Sequence, residues 1–176
     1  MDPFWKQVAG SDLAQGDLLP HCMVPQFEPD YGTGAANYVH DVQTGHADLI
    51  IVTQSCDLVN EKAVLVAVAL CRIHTLEEFE TSNPRYKQKG KWEDVRRGRV
   101  EGLHMLGSPE DPENNQKARV VNFGQIFSLP PQYLRHRAQQ LGPRWRLASP
   151  YLEHFSQAFA RYFMRVGLPS PIPSFK

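Results

Sequence analysis

The sequence predicts an α+β fold, and three observations carry that expectation. Two short, β-branched apolar runs, Leu49-Ile-Ile-Val and Val64-Leu-Val-Ala-Val-Ala-Leu70, follow one another closely and have the composition of buried strands. A further strand pattern recurs over 119–127, where Val121 and Phe123 alternate with Val120, Asn122 and Gly124. The chain then closes with an amphipathic helix in which Leu152, Phe155, Phe159, Phe163 and Val166 share one stripe, the spacing of a core-facing helical surface.

Taken in order, Asp2-Pro3 reads as an N-cap with proline at the first helical position, opening a short helix through Phe4, Trp5 and Val8. Gln15-Gly-Asp-Leu-Leu19 turns into a first strand. The segment from Pro20 to Gly45, rich in Pro, Gly, Asp and Asn, is a long loop holding a strand over 22–27. Strands over 48–56 and 64–73 follow, joined by residues 58–62. Thr75 and Glu78 have capping-box spacing and start a short helix that ends by Asn83-Pro84. Residues 103–106 form another strand, and 130–141 a helix closed by Gly142-Pro143, with Trp145 anchoring a strand after it. Ser149 and Pro150 begin the last helix, which ends at Gly167. Residues 1–168 are expected to form one globular domain, and the Pro-rich 169–176 an extended tail.

At 176 residues with ordinary apolar and charged fractions, the chain can bury roughly two-thirds of its unfolded surface without metals or disulfides. No apolar run approaches the ~20 residues of a membrane span and the N-terminus lacks a signal pattern, which predicts a cytoplasmic protein with no membrane partner. Cys22, Cys56 and Cys71 are odd in number and lack a CxxC pair, so reduced thiols are expected. The zero net charge conceals an asymmetry: residues 1–84 hold twelve acids and three bases, residues 117–176 nine bases and one acid. Such halves attract one another or serve different surfaces.

Gly16-Asp17 before a strand, then Leu49-Ile-Ile-Val-Thr-Gln-Ser, a short connection and Val64-Leu-Val-Ala-Val-Ala-Leu resembles the signposts of the bacterial PemK/MazF-like toxins of toxin-antitoxin pairs. The resemblance covers about residues 15–73. It implies a small SH3-like β-barrel, here with added helices, that binds and cuts RNA and can work as a homodimer. The family's ribonucleases carry an arginine just before the first of these strands and a threonine just after the second; here those places read His46-Ala-Asp48 and Cys71-Arg-Ile-His74.

Three groups of residues are candidates for chemistry. Cys56-Asp57 stands where an apolar strand emerges, and a thiolate there becomes a nucleophile if a histidine such as His46 lowers its pKa and Asp57 orients that histidine; the alternative is a small packed residue beside a turn-capping acid. His21, Cys22, Cys71 and His74 offer the four nitrogen and sulfur ligands of a structural zinc, although each cysteine also reads as a packed strand residue. Nothing else in the sequence asks for a cofactor. Finally, Arg85 to Arg99 interleaves Lys87, Lys89, Lys91, Arg96, Arg97 and Arg99 with Tyr86 and Trp92, a composition suited to nucleic-acid phosphates and base stacking or to an acidic protein partner.

These observations lead first to a non-catalytic module that contacts nucleic acid or an acidic partner through Lys87, Lys89, Lys91, Trp92, Arg96, Arg97 and Arg99. The alternatives are an enzyme, either a MazF-like endoribonuclease or a cysteine-dependent hydrolase using Cys56, Asp57 and a histidine, and a structural or adaptor subunit of a larger complex.

Overall fold

The structure, a computed structural model, describes residues 3–33, 41–59, 67–109 and 117–164. Its strands are β1 (Trp5–Val8), β2 (Leu18–Gln26), β3 (Gln43–Ile51), β4 (Val68–Thr75), β5 (Leu103–Leu106), β6 (Arg119–Leu129) and β7 (Arg144–Leu147). The helices are α1 (Ser55–Val59), α2 (Leu76–Ser82), α3 (Lys91–Arg96), α4 (Pro131–Leu141) and α5 (Tyr151–Phe163), with a 3₁₀ turn at Pro84–Lys87. The α+β class therefore holds. Five strands form an antiparallel sheet in the order β2-β3-β4-β6-β5, and β1 pairs with β7 in a separate two-stranded sheet. The larger sheet keeps two edges, β2 and β5, so among the described residues it does not close into a barrel.

Apolar side chains on the two sides of this sheet form separate cores. One gathers Leu19, Cys22, Ala47, Leu49, Ile51 and Leu70 beneath Leu134 and Ala138 of α4. The other gathers Ile50, Cys71, Ile73, Val121 and Phe123 against Trp5, Leu147 and Phe155 from β1, β7 and α5. A third, smaller cluster joins Phe79, Tyr86, Val95 and Val120 with the partly buried Trp92. His104 lies between Phe123 and Phe155, with ring centroids at 6.0 and 5.9 Å; burial, and secondarily the neighbouring His154, pushes its pKa down to about 4, so it packs as a neutral ring.

Several sequence expectations hold. The capping box at Thr75 and Glu78 is formed in both directions, with Glu78 N to Thr75 Oγ1 at 3.0 Å and Thr75 N to Glu78 Oε2 at 2.8 Å. The strands at 103–106 and 119–129, the helix at 131–141 and the strand around Trp145 are all present. Others are corrected. The expected N-terminal helix is strand β1, because Trp5 gains more from burial against Leu147 and from donating Nε1 to Gly107 O at 2.9 Å than a lone turn of helix provides. The strand expected over 48–56 stops at Ile51, and Ser55 and Cys56 belong to α1. The expected strand at 22–27 is the second half of β2, which is continuous through a bulge between Leu19 and Cys22 where His21 has φ of 55°. Helix α5 is described only to Phe163 and Met164, and the expected tail lies outside the described residues.

The exposed edge of β2 is capped by α4. Arg137 donates to Pro20 O at 2.9 and 3.2 Å, and Met23 N donates to Tyr133 Oη at 2.6 Å, which removes backbone groups that would otherwise recruit another strand.

The two sheets meet at Gly16-Asp17. Gly16 has φ of +82°, and a Cβ there would lie 2.9 Å from Leu152 Cδ1 and 3.0 Å from Leu147 Cβ, so only glycine fits. Gly16 N donates to Ile51 O and Ile51 N to Asp17 O, at 2.9 and 3.0 Å. The Asp17 carboxylate is fully buried and accepts from Ala14 N, from Arg144 at 3.0 and 3.3 Å, and from Arg146 Nε and Nη2. Arg144 also donates to Gly10 O at 2.7 Å. Removing one member of such a buried pair leaves charge without compensation, which costs about 3–5 kcal/mol, a large part of the ~5–15 kcal/mol that holds a domain folded. We expect Asp17→Ala to lower stability by that amount in urea denaturation; a loss below about 1 kcal/mol would contradict this role.

Candidate functional site

The register of β3 against β4 creates the site. The two strands pair only from Leu49 to Ile51 against Leu70 to Arg72, and beyond Leu49 they separate. The wedge between them is an open recess of about 230 Å³ lined by His21, His46 and Asp48 on one side and Arg72, His74 and Glu78 on the other. A second recess of about 360 Å³ shares Arg72, His74 and Glu78 and continues past Phe79, Ser82 and Asn83 of α2 and Asn122 and Gln125 of β6. The two recesses form one polar groove, and the 3₁₀ turn with Arg85 and Lys87 begins one residue past Asn83.

Asp48 holds the first side of the wedge. Its Oδ1 accepts from His21 N at 2.9 Å, which fixes the positive-φ bulge, and its Oδ2 lies 3.7 Å from Arg119 Nη1. The bulge places the His21 ring 4.1 Å, centroid to centroid, from that of His46, tilted by 31°. On the other side, His74 Nε2 donates to Gln125 Oε1 at 2.8 Å. Burial lowers the His74 pKa, partly offset by that hydrogen bond, so the ring is neutral near pH 7 and its Nδ1 keeps a lone pair.

Arg72 stands where the two recesses meet. It is half-buried in the middle of β4, and its guanidinium has neither a hydrogen-bond nor an ion-pair partner among the described residues. A guanidinium offers five donors in a planar fork suited to a carboxylate or phosphate. Nearly every other arginine with a described position is engaged: Arg144 and Arg146 with Asp17, Arg137 with Pro20, Arg119 with Asp48.

The residues singled out in the sequence are distributed differently. His46 belongs to the wedge, whereas Cys56 and Asp57 sit on α1. Five residue steps along β3 separate His46 from Ile51, roughly 16 Å, and Cys56 lies beyond that end. The Cys56 thiol is exposed and its neighbours are Gln54 Oε1 at 3.6 Å and Asp57 Oδ1 at 3.8 Å; among the described residues no histidine is bonded to it. Nor does the structure assemble the four possible zinc ligands. Cys22 and Cys71 are buried in different cores, and burial raises their thiols to about 11 and about 12. His21 and His74 face the groove, and no group of three or more His, Cys, Asp and Glu among the described residues is arranged to hold a metal ion.

The basic segment is partly self-neutralised. Glu93 receives Arg96 and Arg97, both at 2.6 Å, and Asp94 receives Arg99 at 3.3 Å. Trp92 donates Nε1 to Glu80 at 2.7 Å and packs against Tyr86 and Phe79, so it serves the third core rather than offering an open stacking face. Lys87 and Lys89 remain exposed without a partner among the described residues.

No family model, no curated protein and no solved structure matches this chain. Among the described residues, no helix is long and apolar enough to cross a membrane.

The thiol environments have a direct readout. At pH about 8, near the reference thiol pKa, we expect mass spectrometry to find alkylation of native protein at Cys56 alone, with Cys22 and Cys71 labelled only after unfolding. Equal native labelling of all three would contradict the two-core arrangement.

Proposed function

We propose that the groove between β3, β4, α2 and β6 binds a nucleic-acid strand, with Arg72 as the seat of a backbone phosphate. The observation that carries this reading is the half-buried guanidinium of Arg72, without a partner among the described residues, at the junction of two polar recesses. Three imidazoles, of His21, His46 and His74, line the recesses around it, and exposed Lys87 and Lys89 extend positive potential from the end of the groove. A nucleic acid suits the groove better than an acidic protein because the second recess mixes side-chain amides with a carboxylate, as base recognition requires. The resemblance of residues 15–73 to the PemK/MazF-like toxins points to RNA as the ligand.

A second reading, metal-independent RNA cleavage, is favoured by one detail. His74 is neutral, with no partner on Nδ1 among the described residues, and shares the wedge with Arg72 and His46. His74 would take the proton of a ribose 2′-hydroxyl as that oxygen attacks phosphorus. His46 would deliver a proton to the departing 5′-oxygen, and Arg72 would stabilise the charge on the phosphoryl oxygens.

Fluorescence anisotropy with short labelled single-stranded RNA tests the first reading. We expect binding that weakens linearly in log–log salt plots, Arg72→Gln to reduce affinity roughly tenfold or more, and Arg97→Gln, already paired with Glu93, to change it less than about twofold. Absence of binding at low salt, or a larger loss from Arg97→Gln than from Arg72→Gln, would overturn the reading. Incubating the same RNA with EDTA and analysing the products tests the second. Fragments ending in 2′,3′-cyclic phosphate, lost in His74→Asn and with 2′-deoxy substrate, are expected for cleavage; bound but intact RNA would eliminate it.

A further inference from the structure

We infer that the larger recess, between α2 and β6, reads a guanine base; this deepens the nucleic-acid reading and rests on it. The argument comes from which hydrogen-bonding groups the fold has already used. Gln125 Oε1 is taken by His74 Nε2 at 2.8 Å, and Asn122 Oδ1 by the backbone N–H of Gly124 at 3.0 Å. Both carboxamides are thereby oriented with their NH₂ groups available, so the β6 wall of the recess offers donors. The α2 wall is the reverse. Asn83 donates one N–H to Phe79 O at 3.2 Å, which orients its carboxamide and leaves Oδ1 open, and Glu78 Oε2 accepts from Thr75 N at 2.8 Å, leaving Oε1. That wall offers acceptors, one of them charged.

A ligand complementary to both walls has donors along one edge and acceptors along another. Among the four bases guanine matches: N1–H and N2–H₂ form a donor edge for the carboxylate, and O6 and N7 form an acceptor edge for the amides. Adenine requires from one carboxamide the oxygen as well as the NH₂, and here each oxygen already accepts one bond that fixes its direction, so the NH₂ groups are the better presented. Uracil and cytosine lack two adjacent donors. Arg72, shared by both recesses, places the phosphate seat next to the base site, as one nucleotide requires, and the volume of about 360 Å³ falls within the range of small-ligand sites.

The test uses the full chain and 2′-O-methyl uridine tracts, which bar cleavage, carrying one central guanosine, inosine, adenosine, cytidine or uridine. We expect the guanosine strand to bind at least roughly tenfold more tightly than the other three natural bases, as one bidentate contact allows, and inosine, which lacks the N2 amino group, to lose most of that gain. Glu78→Gln preserves an acceptor for the Thr75 amide within the capping box and should reduce the guanosine preference to under about threefold, with an unchanged melting temperature as the check on folding. Equal affinity for all five strands would overturn base reading while leaving nucleic-acid binding intact. Failure of every strand to bind at low salt would overturn the underlying reading and this inference together.

Discussion

The ion cluster of Asp17 with Arg144 and Arg146 is the interaction on which the rest of the architecture depends. A fully buried carboxylate is tolerated only when its charge is matched and its lone pairs are occupied, and here the matching groups arrive from β7, far along the chain. The cluster therefore joins the β1–β7 sheet to the five-stranded sheet at the end of β3. The backbone bonds of Gly16 and Asp17 with Ile51 clamp that end. With β3 and β4 held together there, the short ladder allows them to diverge at the other end, where the wedge opens. The structural knot and the candidate site are thus opposite ends of the same two strands.

Charge in this protein is informative only after its partners are counted. The segment from Arg85 to Arg99 is the densest run of bases in the sequence, yet Arg96, Arg97 and Arg99 are engaged by Glu93 and Asp94, at exposed positions where such pairs contribute little to stability. Arg72 is a single base in an apolar strand and has no such partner. A guanidinium held half-buried by its strand loses little freedom when an anion arrives, whereas flexible surface lysines must be ordered. That difference in preorganisation, more than the number of positive charges, sets the groove apart from the surface around it.

Much of the fold was legible in the sequence because it follows local rules. The Thr75–Glu78 capping box forms as its spacing requires, 49–51 and 68–70 of the two apolar runs are strand, and Leu152, Phe155 and Phe159 of the α5 stripe pack into a core, whereas Phe163 is exposed and residues 64–66 and Val166 lie outside the described residues. The N-terminal segment was not legible, because Asp2-Pro3 is a helix-start signal that tertiary burial of Trp5 overrides, and Ser55-Cys56 was read as strand because the apolar run before it gives no sign of where the ladder ends. Of the candidate site, His46, His21 and His74 were visible as residues but assigned to unrelated roles. Their convergence depends on the bulge at His21 and on the divergence of β3 from β4, neither of which has a periodic signature. Arg72 had one: in Val68-Ala-Leu-Cys-Arg-Ile-His-Thr75, Arg72 and His74 interrupt an apolar strand at period two, which marks one side of that strand as polar. Asn122 and Gln125 carried no comparable signal, since their roles follow from hydrogen bonds made across the sheet.

The most direct measurement of the central claim is an NMR titration of isotopically labelled protein with short single-stranded RNA, following the Arg72 Nε–Hε signal, the His74 ring and the side-chain amides of Asn122 and Gln125. The account predicts that these signals shift together and saturably, with those of Lys87 and Lys89 following more weakly. Shifts confined to Arg96, Arg97 and Arg99, or no shift in the Arg72 signal while RNA binds, would show that the groove is not the site.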